Sequence, residues 1–148
     1  MITITNLTTT SVDEKYLKSI CQKVLKEEGK KEAQLSVVLV GQGRMRQLNK
    51  KYRGKNRVTD VLAFPSNQTS EFVNPPNSES ELGEIVLCLR VLKKNAKRFN
   101  STFKKELTLS LIHGILHLLG YDHEKDASAA KKMEEKQQYY LNQFITSS

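Results

Sequence analysis

The chain has 148 residues, with 24 Lys+Arg against 16 Asp+Glu, a formal net charge of +8 and a pI near 9.5. That length predicts one domain spanning residues 1–148, and a 38% hydrophobic fraction with a mean hydropathy of −0.51 describes a soluble chain with material for one core. The sequence has no apolar run of the ~18 residues a membrane span needs and no export-type N-terminus. Its only cysteines, Cys21 and Cys88, are too few for a disulfide scaffold. The expectation is a reduced, cytoplasmic monomer.

In chain order, Ile2-Thr3-Ile4 alternates and predicts an opening strand. Ser11-Val12-Asp13-Glu14 reads as a helix start, and Tyr16, Leu17, Ile20, Cys21, Val24 and Leu25 recur at helical spacing up to Gly29. Gln34–Val40 is a β-branched strand bounded by Gly41 and Gly43. Met45, Leu48 and Tyr52 mark a short amphipathic helix ending at Gly54, and Val61–Phe64 a short strand stopped by Pro65. Residues 66–82 are rich in Ser, Asn and Pro and predict a long mobile loop. A strand over Gly83–Leu89, a basic helix over Arg90–Phe99, and a helix from near Asn100/Ser101 to Leu119 follow, with Gly120 as its left-handed cap. A last helix runs from Asp126 to Phe144, with Met133, Tyr140 and Phe144 on its apolar side. Strands alternating with helices predict an α+β domain (with α/β-like alternation) and a small mixed sheet of about four strands.

The charge is clustered. Residues 44–57 hold seven Lys/Arg and no acid, residues 90–105 hold seven more and no acid, and residues 58–89 hold no Lys or Arg. Excess lysine can serve solubility alone, but 14 of 24 cations in two blocks points to a polyanionic partner such as nucleic acid. With no Trp and ten other aromatics, extensive base stacking is not the obvious binding mode.

All three histidines fall in the run His113-Gly114-Ile115-Leu116-His117-Leu118-Leu119-Gly120-Tyr121-Asp122-His123. His113 and His117, four apart on a helix, share one face. Gly120 permits a turn that returns His123 as a third ligand. Three neutral imidazoles suit zinc best, with other transition metals open, and three protein ligands leave a position for substrate or water. Glu106, Ser110, His113 and His117 form one polar stripe on an otherwise apolar helix, and such a stripe needs partners. Two core histidines bonded to backbone, with His123 on the surface, is the plainer reading; three at this spacing favour the metal. The spacing also matches the metzincin proteases, but there a Glu follows the first His as general base, and here that place is Gly114.

Together with Tyr52-Arg53-Gly54-Lys55, Thr59–Pro65 and Leu82–Ile85, this motif resembles the YbeY endoribonuclease family, also called the rRNA maturation factor family. The matching segments span roughly residues 45–125. Ala63 stands where the family usually has Ser, and Glu84 where it usually has Asp. The resemblance implies a small mixed sheet packed with helices, with the metal helix in the core. It implies a single-metal hydrolase, usually assigned zinc, that cleaves single-stranded RNA in 16S rRNA 3′-end maturation and ribosome quality control. Ribosomal RNA and small-subunit or assembly proteins are the implied partners. The implied metal ligands are His113, His117 and His123, and the implied functional arginine is Arg53.

In such a reaction the nucleophile is either water activated by the metal or the RNA 2′-OH. Glu106 and Asp122 are candidates for proton transfer; equally, Glu106 can serve the helix dipole and Asp122 can orient a ligand imidazole. Arg53 can hold a phosphate bidentately and stabilise transition-state charge, or act as a plain phosphate-tracking cation. Lys50, Lys51, Lys55 and Arg57 beside it read as RNA-binding, and Thr59-Asp60 as a capped turn that restrains Arg53. The block 90–105 either extends the RNA path or is a solvated helix face. Two other functions stay open: a non-catalytic RNA-binding assembly factor with a structural metal, and a zincin-like metallohydrolase of non-RNA substrates.

Overall fold

A computed structural model describes residues 1–66 and 81–145. The elements are β1 (Ile2–Asn6), α1 (Glu14–Glu27), β2 (Gln34–Val40), α2 (Gln42–Arg53), β3 (Val61–Pro65), β4 (Glu81–Cys88), α3 (Leu89–Arg98), α4 (Phe103–Leu118) and α5 (Ala127–Phe144). Three helices begin where a short polar side chain can accept from a free backbone N–H. Asp13 accepts from Tyr16, Thr102 from Lys105 and Asp126 from Ala129, each cap worth ~1 kcal/mol.

The sheet order is β1-β2-β4-β3, with the first three strands parallel and β3 antiparallel on β4. Both faces are covered, which explains the near-continuous apolar runs in β2 and β4. Val37, Leu39, Ile85 and Leu87 join the larger core formed with α1, α4 and α5. Val38, Val40, Val86 and Cys88 form a second core with Leu62, Phe64 and the Met45 and Leu48 side chains of α2. Both cysteines are free and buried, and burial pushes the Cys21 thiol up to about 12.

Helix α4 lies in the centre of the larger core and packs on α1, α3, α5, β3 and β4. Its buried side chains include Leu107, Leu111, Ile112, Ile115 and Leu116. Gly114 brings it close to the sheet: a Cβ there would stand 3.0 Å from Ile85 Cγ2. Gly83 does the same between strands. Its φ is +148°, and a Cβ would meet the Phe64 carbonyl oxygen at 2.3 Å. It sits where the β2–β4 register slips, with Gln34 opposite Glu81 but Leu35 opposite Gly83, so Leu82 is the extra residue of a bulge.

Some boundaries differ from the sequence expectation. The strand expected from Gly83 begins at Glu81, so Glu81 and Leu82 leave the predicted loop, and Leu89 opens α3 instead of closing β4. Residues 67–80 of that loop lie outside the described residues. Helix α4 starts at Phe103, later than Asn100/Ser101, because Asn100 is left-handed (φ 51°) and Thr102 takes the cap position. Its cap is Leu119, with Gly120 one residue beyond. Among the described residues no helix is long and apolar enough to cross a membrane.

Candidate metal and RNA-binding site

His113 and His117 stand one turn apart near the end of α4, His113 half-buried and His117 exposed. Gly120, with φ +102°, then turns the chain in a conformation that L side chains rarely adopt. The turn returns His123 to α4, and the His113 and His123 ring centroids lie 5.3 Å apart. Two imidazoles on one ion at ~2 Å Zn–N distances and a tetrahedral angle would have centroids roughly 5 Å apart, so this pair fits a shared metal.

His113 is also held from outside the motif. Its Nδ1 hydrogen-bonds Oε1 of Gln137 on α5. An amide oxygen only accepts, so Nδ1 donates and the lone pair lies on Nε2. Fixing the tautomer through the other ring nitrogen is what a metal-ligating histidine needs. Burial lowers the His117 pKa, His113 lowers it further, and Arg53 and His123 add to the effect against the opposing pull of Asp122. The net direction favours the neutral imidazole, the form that binds a cation. Among the described residues no three His, Cys, Asp or Glu side chains yet close on one point. His123 Nε2 stands 3.8 Å from Glu124 Oε1, in an exposed turn. By chemistry the three imidazoles are donors of the kind a transition metal takes, two on α4 and one in the turn that follows.

Arg53 belongs to α2, on the face of the sheet opposite α4, and lies at the sheet's edge. β3 is an edge strand. Cys88 N donates to Asp60 O, and Ser66 N donates to Leu82 O, at the two ends of the β3–β4 pairing. Alternation then aims the N–H and C=O of Val61 and Ala63, and the C=O of Pro65, at the free edge. Arg53, the last residue of α2, donates Nη2 to the Ala63 carbonyl at 2.8 Å and Nη1 to the Tyr52 carbonyl at 3.2 Å. Its guanidinium carbon lies 4.7 Å from the Phe64 ring centroid. Burial lowers its pKa, yet a guanidinium stays protonated. Of its five N–H donors, two are used here, leaving three for an anion. Thr59 and Asp60 do not restrain Arg53 as expected. Asp60 accepts from Val61 N and the Thr59 hydroxyl, capping the start of β3. Ala63 acts through its carbonyl, a role its side chain does not decide.

Lys50, Lys51, Lys55 and Arg57 are exposed around the end of α2. Asn49, 3% exposed, organises them. Its Nδ2 donates to the Arg57 carbonyl at 3.0 Å, and its own carbonyl accepts from Lys55 N. Glu106 sits at the start of α4, where its carboxylate accepts from the Ser101 hydroxyl; seven residues of helix put it ~10 Å from His113 along the axis. Asp122 lies in the His turn and accepts from Glu124 N. Gly114 faces Ile85, so the place of the metzincin Glu points into the core and away from the histidines.

Sequence reasoning missed Gln137, Asn49 and the Ala63 carbonyl. Gln137 had a signal: it continues the 133–140–144 apolar stripe of α5, where a polar residue asks for a partner.

Residues 3–145 match the family described as Endoribonuclease YbeY. A protein of that name from Thermodesulfovibrio yellowstonii is 47% identical over 73% of this chain and 65% of its own length. Another from Thermotoga maritima is 41% identical over 87% of this chain and 81% of its own length, and one from Thermosipho melanesiensis is 35% identical over 93% and 92%. The solution structure of TM1509 from Thermotoga maritima superposes with a TM-score of 0.68 at 39% identity, covering 96% of this chain and 87% of that one. With the histidine turn on α4 and Arg53 at the β3 edge, the chain belongs to the Endoribonuclease YbeY family.

Proposed function

We propose that this chain is a metal-dependent, single-strand-selective endoribonuclease of rRNA processing. It acts in 16S rRNA 3′-end maturation and ribosome quality control. What supports the reading is placement: Arg53, from α2, is anchored at the free edge of β3, the strand that packs against α4, the helix carrying His113 and His117. A cation beside a tautomer-fixed histidine group suits a phosphodiester better than a peptide. His113, His117 and His123 would hold one zinc ion, which when bound supplies acidified water and a polarised phosphoryl oxygen.

The chain's own groups do the rest. Gln137 keeps the His113 lone pair on Nε2. Arg53 offers its three unused N–H donors to the scissile phosphate, where they stabilise the charge that grows in the transition state. The bonds to Ala63 and Tyr52 hold the guanidinium plane in place beforehand. Lys50, Lys51, Lys55 and Arg57 track the flanking backbone without reading sequence. For proton transfer Asp122 is better placed than Glu106, because Asp122 lies in the histidine turn beside His123, while Glu106 is about two turns away and engaged with Ser101. The partners follow from the substrate: 16S rRNA in the small ribosomal subunit and its assembly proteins, met by a cytoplasmic monomer.

The test offers the purified chain, with zinc, a single-stranded RNA carrying the 16S 3′ region and the same RNA as a duplex. Cleavage of the single strand alone supports the reading. Equal cleavage of both, or of neither, sinks it.

A further inference from the structure

Far from the histidines lies a second cationic feature that the proposed reaction does not use. A cavity of ≈ 420 Å³ opens where β2 and β4 end, lined by Val40 and Leu89 at those ends, by Thr8 and Thr10 from the β1–α1 connection, and by Arg90, Lys93, Lys94 and Lys97 of α3. The four cations recur at helical spacing and are exposed, while Leu89, Leu92 and Ala96 turn into the protein. None of the four makes an ion pair among the described residues. No carboxylate lines the cavity. Two other cavities differ here: one pairs its lysines with Glu28 and Asp122, the other with Glu32 and Glu81.

The place is well separated from the metal motif. Leu118, at the end of α4, packs near Gly83, at the start of β4. From Gly83 to Cys88 the strand rises ~16 Å at ~3.3 Å per residue, so the cavity and the histidine turn lie at opposite ends of β4. The threonine side of the cavity is built, not loose. Asn6 donates Nδ2 to the Thr10 carbonyl at 2.8 Å and accepts from Thr8 N and the Thr8 hydroxyl. Uncompensated like charges gathered in one concavity repel each other, and an anion relieves that repulsion. With no aromatic residue in its lining, the cavity offers nothing for a base to stack on, so it suits phosphate and ribose rather than bases.

We infer that this cavity is a second RNA-backbone site, which grips the single strand at a distance from the cleavage centre. The inference rests on RNA as the substrate and adds where else the strand is held. It gives the block 90–105 a concave docking place in addition to a basic helix face.

The experiment uses the full-length protein and a fluorescent, uncleavable 2′-O-methyl single strand long enough to span both sites. Affinity is measured across a salt series for wild type, for Lys94→Gln/Lys97→Gln, and for Lys15→Gln/Lys18→Gln on α1, which removes the same charge elsewhere. Melting curves check that each variant is folded. The cavity pair is expected to bind at least tenfold more weakly, with a salt slope shallower by about 1.4, while the α1 pair changes less than about threefold. Equal losses in both pairs, or none in either, overturn the second site while leaving the nuclease reading intact. A wild-type protein that binds no RNA overturns both.

Discussion

At the scale of single residues, the proposed reaction gives Arg53 two jobs with one group. Two N–H donors anchor it to backbone carbonyls and three remain for phosphate. Arg53→Ala is expected to cut kcat/KM for single-stranded RNA by ~10²-fold or more. Arg53→Lys should recover little of it, since an ammonium has neither the planar fork nor the stacking on Phe64. Recovery to near wild type by Lys would reduce Arg53 to a plain cation. Gln137 works through His113. Gln137→Leu should weaken metal affinity by ~10–100-fold in a chelator competition while the circular dichroism spectrum stays unchanged; unaltered affinity would remove its positioning role. The histidine motif is legible in the sequence because all its parts sit within three turns of chain. Gln137 and the Ala63 carbonyl are not, because their partners come from other elements and only the fold brings them together.

At the scale of elements, close approach decides most of the architecture. Gly83→Ala puts a Cβ against a backbone oxygen at a strained φ, and Gly114→Glu buries a charge against Ile85. Each is expected to lower stability by several kcal/mol, on the order of what overpacking and an unpaired buried charge cost; a wild-type Tm for either would refute the packing account. The second element-level device fastens α5 to α1. Burial by itself would raise the pKa of Glu28, but hydrogen bonds from Tyr140, Tyr121 and Lys136 outweigh it, and the net shift is downward. Tyr121 donates at 2.7 Å and Lys136 at 3.0 Å. A carboxylate with a lowered folded pKa gives stability that is full above its ordinary value and lost as pH falls through the folded value. Wild-type Tm should therefore fall more steeply between about pH 5 and about pH 3 than that of Glu28→Gln, which should be ~1–3 kcal/mol less stable at neutral pH. Parallel curves would show that the cluster adds no pH-dependent stability. Helix boundaries are readable from caps such as Asp13 and Asp126. The start of β4 is not: Glu81-Leu82 continues a polar composition, and the bulge that pairs them is set by β2.

At the scale of the molecule, a net charge of +8 becomes two cationic regions, one around Arg53 at the free edge of β3 and one on α3 beyond the end of β4. The sheet order places the edge strand β3 between the α2 terminus and the end of α4, and so assembles the site. The number of strands, their mixed character and the central metal-motif helix are readable from alternation and apolar periodicity. The docking of Arg53 on the free edge of β3 is not, since no local pattern records strand order. The central claim is that the histidine group makes this fold a nuclease. Its most direct test is the rate of single-stranded 16S 3′ RNA cleavage by wild type and by a folded His117→Ala variant, before chelation, after it, and after zinc is returned. Wild-type cleavage is expected to be abolished by chelation and restored by zinc, with His117→Ala silent throughout. Cleavage that survives both chelation and His117→Ala would contradict it.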